Sequence, residues 1–299
     1  MGGSAEPTID VDRLAGRSLI GGRRPARPPG GSSTPAGLAR TPWLALLRRA
    51  LREDRFVLHY QPIVSLRDGR ISHHEALVRL VDERGGLIAP GEFLPAAERH
   101  GVIRAIDRDV LDKALAALAC APEARPPRVR VGARPRRARD GSIAVNLSAL
   151  SLTDPRMLAF LQERLAHHRV GGHMLVLELT ETASISDMPA ARAFCAGAAA
   201  LGCEIALDDF GAGFGSFHYL RHLEFAYLKI DGAFIRGLAD SEGDRRVVSS
   251  LVALARSIGA RTIAEYVQDA RTLRLLFELG VDYAQGFAVG RPRPLPARP

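Results

Sequence analysis

Lysine is almost missing from this chain: Lys113 and Lys229 stand against 39 arginines. Cysteine is scarce too. Cys120, Cys195 and Cys203 are odd in number and ill-spaced, which excludes a disulfide framework and a zinc knuckle and leaves a reducing cytoplasm as the expected compartment. No apolar run approaches the roughly 18–20 residues that a bilayer-crossing helix needs. No compact apolar core near the N-terminus resembles a signal peptide, so membrane insertion and secretion are not expected. A nucleic-acid-binding face is lacking as well, despite a formal net charge of +8. Residues 1–41 carry six arginines against Glu6, Asp10 and Asp12, and residues 122–141 carry seven against Glu123 and Asp140. Those two stretches account for the whole excess. The remaining body is formally neutral, so a nucleic-acid polymer is not an expected partner.

What is present reads as an ordinary globular chain of 299 residues, 46% apolar and 25% charged, enough for one large domain or two small ones. Residues 1–41, rich in Gly, Pro, Ser and Arg, have the composition of a disordered tail. Order is expected from about Thr41, where Trp43, Leu44, Leu47 and Leu51 make an apolar helical stripe behind Pro42. The alternating run 55–64 and the run 70–80 predict two paired strands around a turn at 66–69. Helical patterns follow at 88–98 and 106–119, and the basic, Pro- and Gly-containing 122–141 reads as an inserted surface loop.

From Ser142 the pattern turns rhythmic. Short apolar strands ending near Asn146, Glu178, Asp208, Lys229, Glu265 and Gln285 alternate with helical stretches at roughly the 30-residue spacing of βαβ units. A (β/α)₈ barrel accommodates that many units better than an open sheet, and a doubly wound sheet is the structural alternative. In a barrel the strand ends share one face. Glu75, Asn146, Glu178, Asp208 with Asp209, Lys229, Glu265 and Gln285 would then converge on a small volume.

The residue types point to a chemistry. Five carboxylates and an amide are hard oxygen donors, and no histidine or cysteine cluster joins them, which favours Mg²⁺ or Mn²⁺ over zinc or copper. Carboxylates so crowded repel one another unless cations sit among them. Two ions sharing an aspartate are the expected arrangement, and such sites hydrolyse phosphate esters. Lys229, the one cation of the ring, fits a charge stabiliser or a holder of the attacking water.

Taken in order, the motifs resemble those of the EAL domain family, phosphodiesterases of cyclic di-GMP. They are Tyr60-Gln61-Pro62-Ile63, Glu75-Ala76-Leu77-Val78-Arg79, Val145-Asn146-Leu147-Ser148, Leu177-Glu178-Leu179-Thr180-Glu181, Asp208-Asp209-Phe210-Gly211, Leu228-Lys229-Ile230-Asp231, Ala264-Glu265 and Asp282-Tyr283-Ala284-Gln285-Gly286. The resemblance covers residues 42–295. It implies a TIM-like barrel with one antiparallel strand, and metal ligation by Glu75, Asn146, Glu178, Asp208, Asp209 and Glu265. It gives Lys229 the catalytic water, with Glu265 and Asp209 in the catalytic group. Glu181 would brace the loop at 210–216, and Gln61, Arg79 and Gln285 would order the substrate. The expected product is linear pGpG, and a homodimer is the expected assembly.

Some residues depart from the family's usual pattern. The loop reads Phe210-Gly-Ala-Gly-Phe-Gly-Ser216, where Thr at 212, Tyr at 214 and Ser at 215 are usual. Tyr266-Val267-Gln268 follows Glu265 where Gly-Val-Glu is commoner, and Gln268 removes a charge expected to support metal affinity. No GGDEF or sensory domain is expected before the barrel, and control is expected from dimerisation or partners. The alternative function is a catalytically silent receptor for the same dinucleotide. Such receptors generally lose a metal ligand or the lysine, and this chain keeps them all.

Overall fold

Short apolar segments flanked by glycine turns favour strands, and here they curl into a ring. The computed structural model describes residues 43–120, 141–180, 187–211 and 219–295. The tail 1–41, the basic stretch 122–141 apart from its last residue, Glu181 and the glycine loop from 212 lie outside the described residues. After helix α1 (Trp43–Arg52), strands β1 (Phe56–Ser65) and β2 (Ile71–Val81) form an antiparallel hairpin in which Gln61 pairs with Glu75. Gly69 turns it with a φ of 68°, a conformation glycine adopts without strain. A two-residue strand, β3 (Leu87–Ile88), joins the end of β2.

Helices α2 (Pro90–Arg99) and α3 (Ile103–Ala119) lead to β4 (Ser142–Asn146), which pairs with β2 in parallel. Next come α4 (Ala149–Leu152), α5 (Met157–His168), β5 (Leu175–Thr180), α6 (Met188–Ala200), β6 (Glu204–Phe210) and β7 (Tyr227–Ile230). The chain then continues through α7 (Gly232–Arg236), α8 (Glu242–Ser257), β8 (Arg261–Ala264), α9 (Ala270–Glu278) and β9 (Tyr283–Gln285). Strands β4 to β9 pair in parallel in sequence order, and β9 pairs antiparallel with β1. Eight strands therefore close a barrel in which β1 alone runs backwards. That closure excludes the doubly wound sheet.

Two layers fill the structure. Outside the ring, apolar helix faces cover the strands; Val248 and Val252 of α8 and Leu273 and Leu276 of α9 pack with Ile230 and Ala264. Each fully buried side chain of this size contributes on the order of 1.5–3 kcal/mol. Inside the ring, Ile63, Ala144, Val176, Ala206, Tyr227 and Ile263 form a separate plug, one residue from each of six strands. This plug positions the site. Side chains two residues apart on a strand share a face, so Asn146, Glu178, Asp208, Lys229 and Glu265 stand one layer above Ala144, Val176, Ala206, Tyr227 and Ile263. On the reversed β1, Gln61 precedes Ile63 by the same step.

The structure corrects three boundaries. β6 does not stop at Asp208 but runs through both aspartates to Phe210. Glu75 lies within β2 rather than at its end, because the hairpin with β1 extends the strand to Val81. Glu265 follows β8 instead of closing it.

Candidate active site

Lys229 is the centre of the site. Its ammonium lies 2.8 Å from Glu178 Oε2, 2.9 Å from Glu265 Oε1, 3.0 Å from Asp208 Oδ1 and 3.6 Å from Glu75 Oε2, and the residue is fully buried. Burial alone would strip a lysine of its proton. Here it is outweighed by Asp208, Glu178, Glu265 and Glu75, which hold the group charged well above the usual lysine range. Lys113, the other lysine, is spent on an outer ion pair with Asp109.

Around it the carboxylates differ. Burial pushes Glu178 well above the ordinary range, with Glu75 and Asp208 adding repulsion against the pull of Lys229. Burial also raises Asp208, and takes Glu265 to about 8. The more open Asp209 rises to about 6 through burial and its neighbour Asp208. Glu75 goes the other way. Burial opposes its charge, but Lys229 and hydrogen bonds from Gln285 and Asn146 overcome it and leave the group below its ordinary value.

Those hydrogen bonds hold Glu75 from both sides. Asn146 Nδ2 donates to Glu75 Oε1 at 2.6 Å, and Gln285 Nε2 donates to Glu75 Oε2 at 2.5 Å. Gln285 also donates to Gln61 Oε1 at 3.2 Å, and Gln61 Nε2 donates to the Gly290 carbonyl at 3.1 Å. The loop after Asn146 is fixed from below: Asp107 of α3, buried, accepts from the Ser148 amide and hydroxyl, at 3.1 and 2.6 Å.

The aspartate pair owes its geometry to a bulge. Between Leu207 and Phe210 β6 carries one residue more than β7, and Asp209 takes a φ of 55°. An extra residue in one strand re-aims the side chains beside it, and so both carboxylates serve the same volume. Left-handed backbone at a non-glycine residue costs on the order of 1–3 kcal/mol and clusters at functional sites. Tyr266, immediately after Glu265, is the second such residue here, with a φ of 54°.

Above the carboxylates opens a cavity of about 560 Å³, bordered by Gln61, Glu75, Arg79, Asp208, Asp209, Glu265 and Gln285. Glu178 and Lys229 lie beneath its floor, fully buried. The expected site residues thus come together, apart from Glu181, which lies outside the described residues. Two groups have the composition and spacing to hold hard divalent cations. Ligand oxygens of Glu75, Glu178 and Asp208 lie within 4.8 Å of one another, as do those of Asp208, Asp209 and Glu265. Asp208 belongs to both. One ammonium meets four of the five carboxylates, and Glu178 Oε1 is buried without a hydrogen-bond partner. That donor set fits Mg²⁺ or Mn²⁺.

Sequence patterns did not single out the aromatic walls. Tyr266 and Phe287 are 53% and 54% exposed and border the cavity, with Arg236 over the first ring and Arg291 over the second. An aromatic residue after a strand usually means core packing, so residue type alone carried no signal. The departure from glycine at 266 did.

Comparisons with known proteins agree with this geometry. A sequence model described as the EAL domain matches residues 45–292. MucR of Pseudomonas aeruginosa, a bifunctional diguanylate cyclase/cyclic di-GMP phosphodiesterase, is 38% identical over 83% of this chain and 34% of its own. The cyclic di-GMP phosphodiesterase PdeF of Escherichia coli is 34% identical over 83% of this chain and 31% of its own. The chain thus spans about a third of the length of these relatives. Among solved structures, the MucR phosphodiesterase of P. aeruginosa in complex with cyclic di-GMP superposes with a TM-score of 0.74 at 36% identity, covering 85% of this chain and 98% of that one. The P. aeruginosa FimX EAL domain bound to cyclic di-GMP gives 0.74 at 29% identity, over 85% and 97%. Among the described residues no helix is long and apolar enough to cross a membrane.

Proposed function

Because the chain belongs to the EAL domain family, we propose that it is a metal-dependent phosphodiesterase that hydrolyses cyclic di-GMP to linear pGpG. The observation that carries this reading is the cluster itself: Glu75, Glu178, Asp208 and Glu265, from different strands or strand ends, gathered on one buried lysine beneath an open cavity.

Glu75, Asn146, Glu178, Asp208, Asp209 and Glu265 would hold Mg²⁺ or Mn²⁺, two ions with Asp208 shared, which supply Lewis acidity and lower the pKa of a bound water. Lys229 orients the attacking water and sets a fixed positive charge against the negative charge that develops on the phosphoryl group. Asp209 and Glu265, which border the cavity, take up and pass on the water's proton. Arg79 pairs with a phosphate through its planar fork. Gln61 and Gln285 hold the substrate and keep Glu75 in one orientation. The water oxygen bonds to phosphorus, the P–O3′ bond breaks, and the departing 3′ oxygen takes a proton, which gives the linear dinucleotide.

The test is to incubate the purified protein with cyclic di-GMP and Mg²⁺ or Mn²⁺ and separate the products. Formation of pGpG that stops with EDTA, and in Glu75→Ala, supports the proposal. Binding of the dinucleotide without turnover under saturating metal would identify a receptor instead.

A further inference from the structure

Tyr266 occupies a position that glycine would fill more comfortably. Its φ is 54°, its side chain is more than half exposed, and it borders the cavity directly beside Glu265. A bulky residue holds that conformation only when surrounding contacts impose it. Two contacts do so here, both from α7. Arg236 lays its guanidinium 4.7 Å from the ring centroid. One turn earlier, Gly232 lies so close to the ring that a Cβ there would overlap it. Residues four apart lie on one side of a helix, so the ring packs along the side of α7 that carries Gly232 and Arg236. More than half of the Tyr266 surface stays exposed, and the residue borders the cavity.

From this arrangement we infer that Tyr266, backed by Arg236, is a stacking platform for one purine base of the dinucleotide. An aromatic face binds any flat base, and a stacked arginine orients the ring and offers positive charge to a nearby phosphate. The cavity's other polar borders are carboxylates, glutamines and Arg79, which suit phosphate and sugar rather than a base. Tyr266 touches no reacting atom in this arrangement. It is a substrate-positioning residue, and the inference rests on the dinucleotide reading of the site.

The experiment compares the wild-type protein with Tyr266→Gly and Tyr266→Phe, using calorimetric affinity for cyclic di-GMP in EDTA and steady-state kinetics with Mn²⁺. Glycine accepts the left-handed backbone, so Tyr266→Gly is expected to fold and to melt no lower than the wild type. Removing one base-stacking ring is expected to weaken Kd and raise KM by about tenfold, with a smaller effect on kcat. Tyr266→Phe keeps the ring and is expected to stay near wild-type affinity. An unchanged Kd in Tyr266→Gly overturns the platform. Wild-type binding without turnover overturns the phosphodiesterase reading alone, since the affinity comparison still judges the platform. Absence of wild-type binding overturns both.

Discussion

The ammonium of Lys229 and the carboxylate of Glu178 meet at 2.8 Å, both fully shielded from solvent, at the base of an open cavity. Removing one member of a buried ion pair leaves an uncompensated charge and costs about 3–5 kcal/mol. Lys229→Met is therefore expected to lower stability by that amount when measured by urea unfolding in EDTA. Saturating Mn²⁺ is expected to restore much of the loss, because a cation that binds only the folded state stabilises it. Turnover of cyclic di-GMP by Lys229→Met is expected to fall by about 10²–10³ even with metal present, the scale of a lost electrostatic donor. Equal stability of variant and wild type in EDTA would show that the lysine does not hold the carboxylates together.

A second prediction concerns Asp107, whose carboxyl burial raises from 3.8 to about 6 against the pull of its Ser148 and Ser151 hydrogen bonds. Its folded value exceeds its unfolded one, so the native chain binds the proton more tightly. The sign follows directly: this group's contribution is favourable below pH 4 and is lost as pH rises toward 6. The difference is about 3 kcal/mol. Asp107→Asn can still accept from Ser148 but cannot ionise. Unfolding at pH 4 and pH 7 is expected to show the variant gaining about 3 kcal/mol on the wild type over that interval. Parallel pH profiles would contradict it.

Thiol chemistry gives a simpler check. Cys195 and Cys203 are buried, and burial pushes both thiols up to about 12, whereas Cys120 is exposed. Reactivity requires an accessible thiolate. A chromogenic disulfide reagent at pH 8 is expected to label one thiol per native chain, and three once the chain is unfolded. Three fast thiols in the native protein would mean that the helix–strand layer around Cys195 and Cys203 is not closed.

Packing between α7 and the cavity rim can be tested by a double-mutant cycle. A methyl group at Gly232 would overlap the Tyr266 ring, and overpacking of this kind costs typically 1–3 kcal/mol. Gly232→Ala is expected to show that cost in the wild type and little of it in Tyr266→Gly, a coupling of at least 1 kcal/mol between the two positions. Additive effects would place the ring elsewhere.

Much of this architecture was legible because strands β4 to β8 repeat one local rule: an inward residue of the apolar plug, then a polar one two positions on. Val176 and Glu178, Ala206 and Asp208, and Ile263 and Glu265 all obey it, so strand number and the acidic face could be read directly. Closure of the ring was less legible. It depends on three residues of β9 meeting β1 across the length of the chain, a pairing to which local pattern is blind. The bulge at Asp208 and Asp209 was hidden for a different reason. Charged residues look like the end of a strand, yet the ladder to β7 resumes at Phe210. The sequence marks Lys229 as the one cation of the ring, but its contacts with four carboxylates depend on distances between strands that spacing along the chain does not encode.

The central claim, that these carboxylates gather divalent cations through a shared Asp208, is most directly tested by counting Mn²⁺ bound at equilibrium. Dialysis followed by metal analysis is expected to give two ions per wild-type chain and fewer than one tightly bound ion in Asp208→Asn, since that aspartate belongs to both oxygen clusters. Retention of two ions by Asp208→Asn, or none by the wild type, would contradict it.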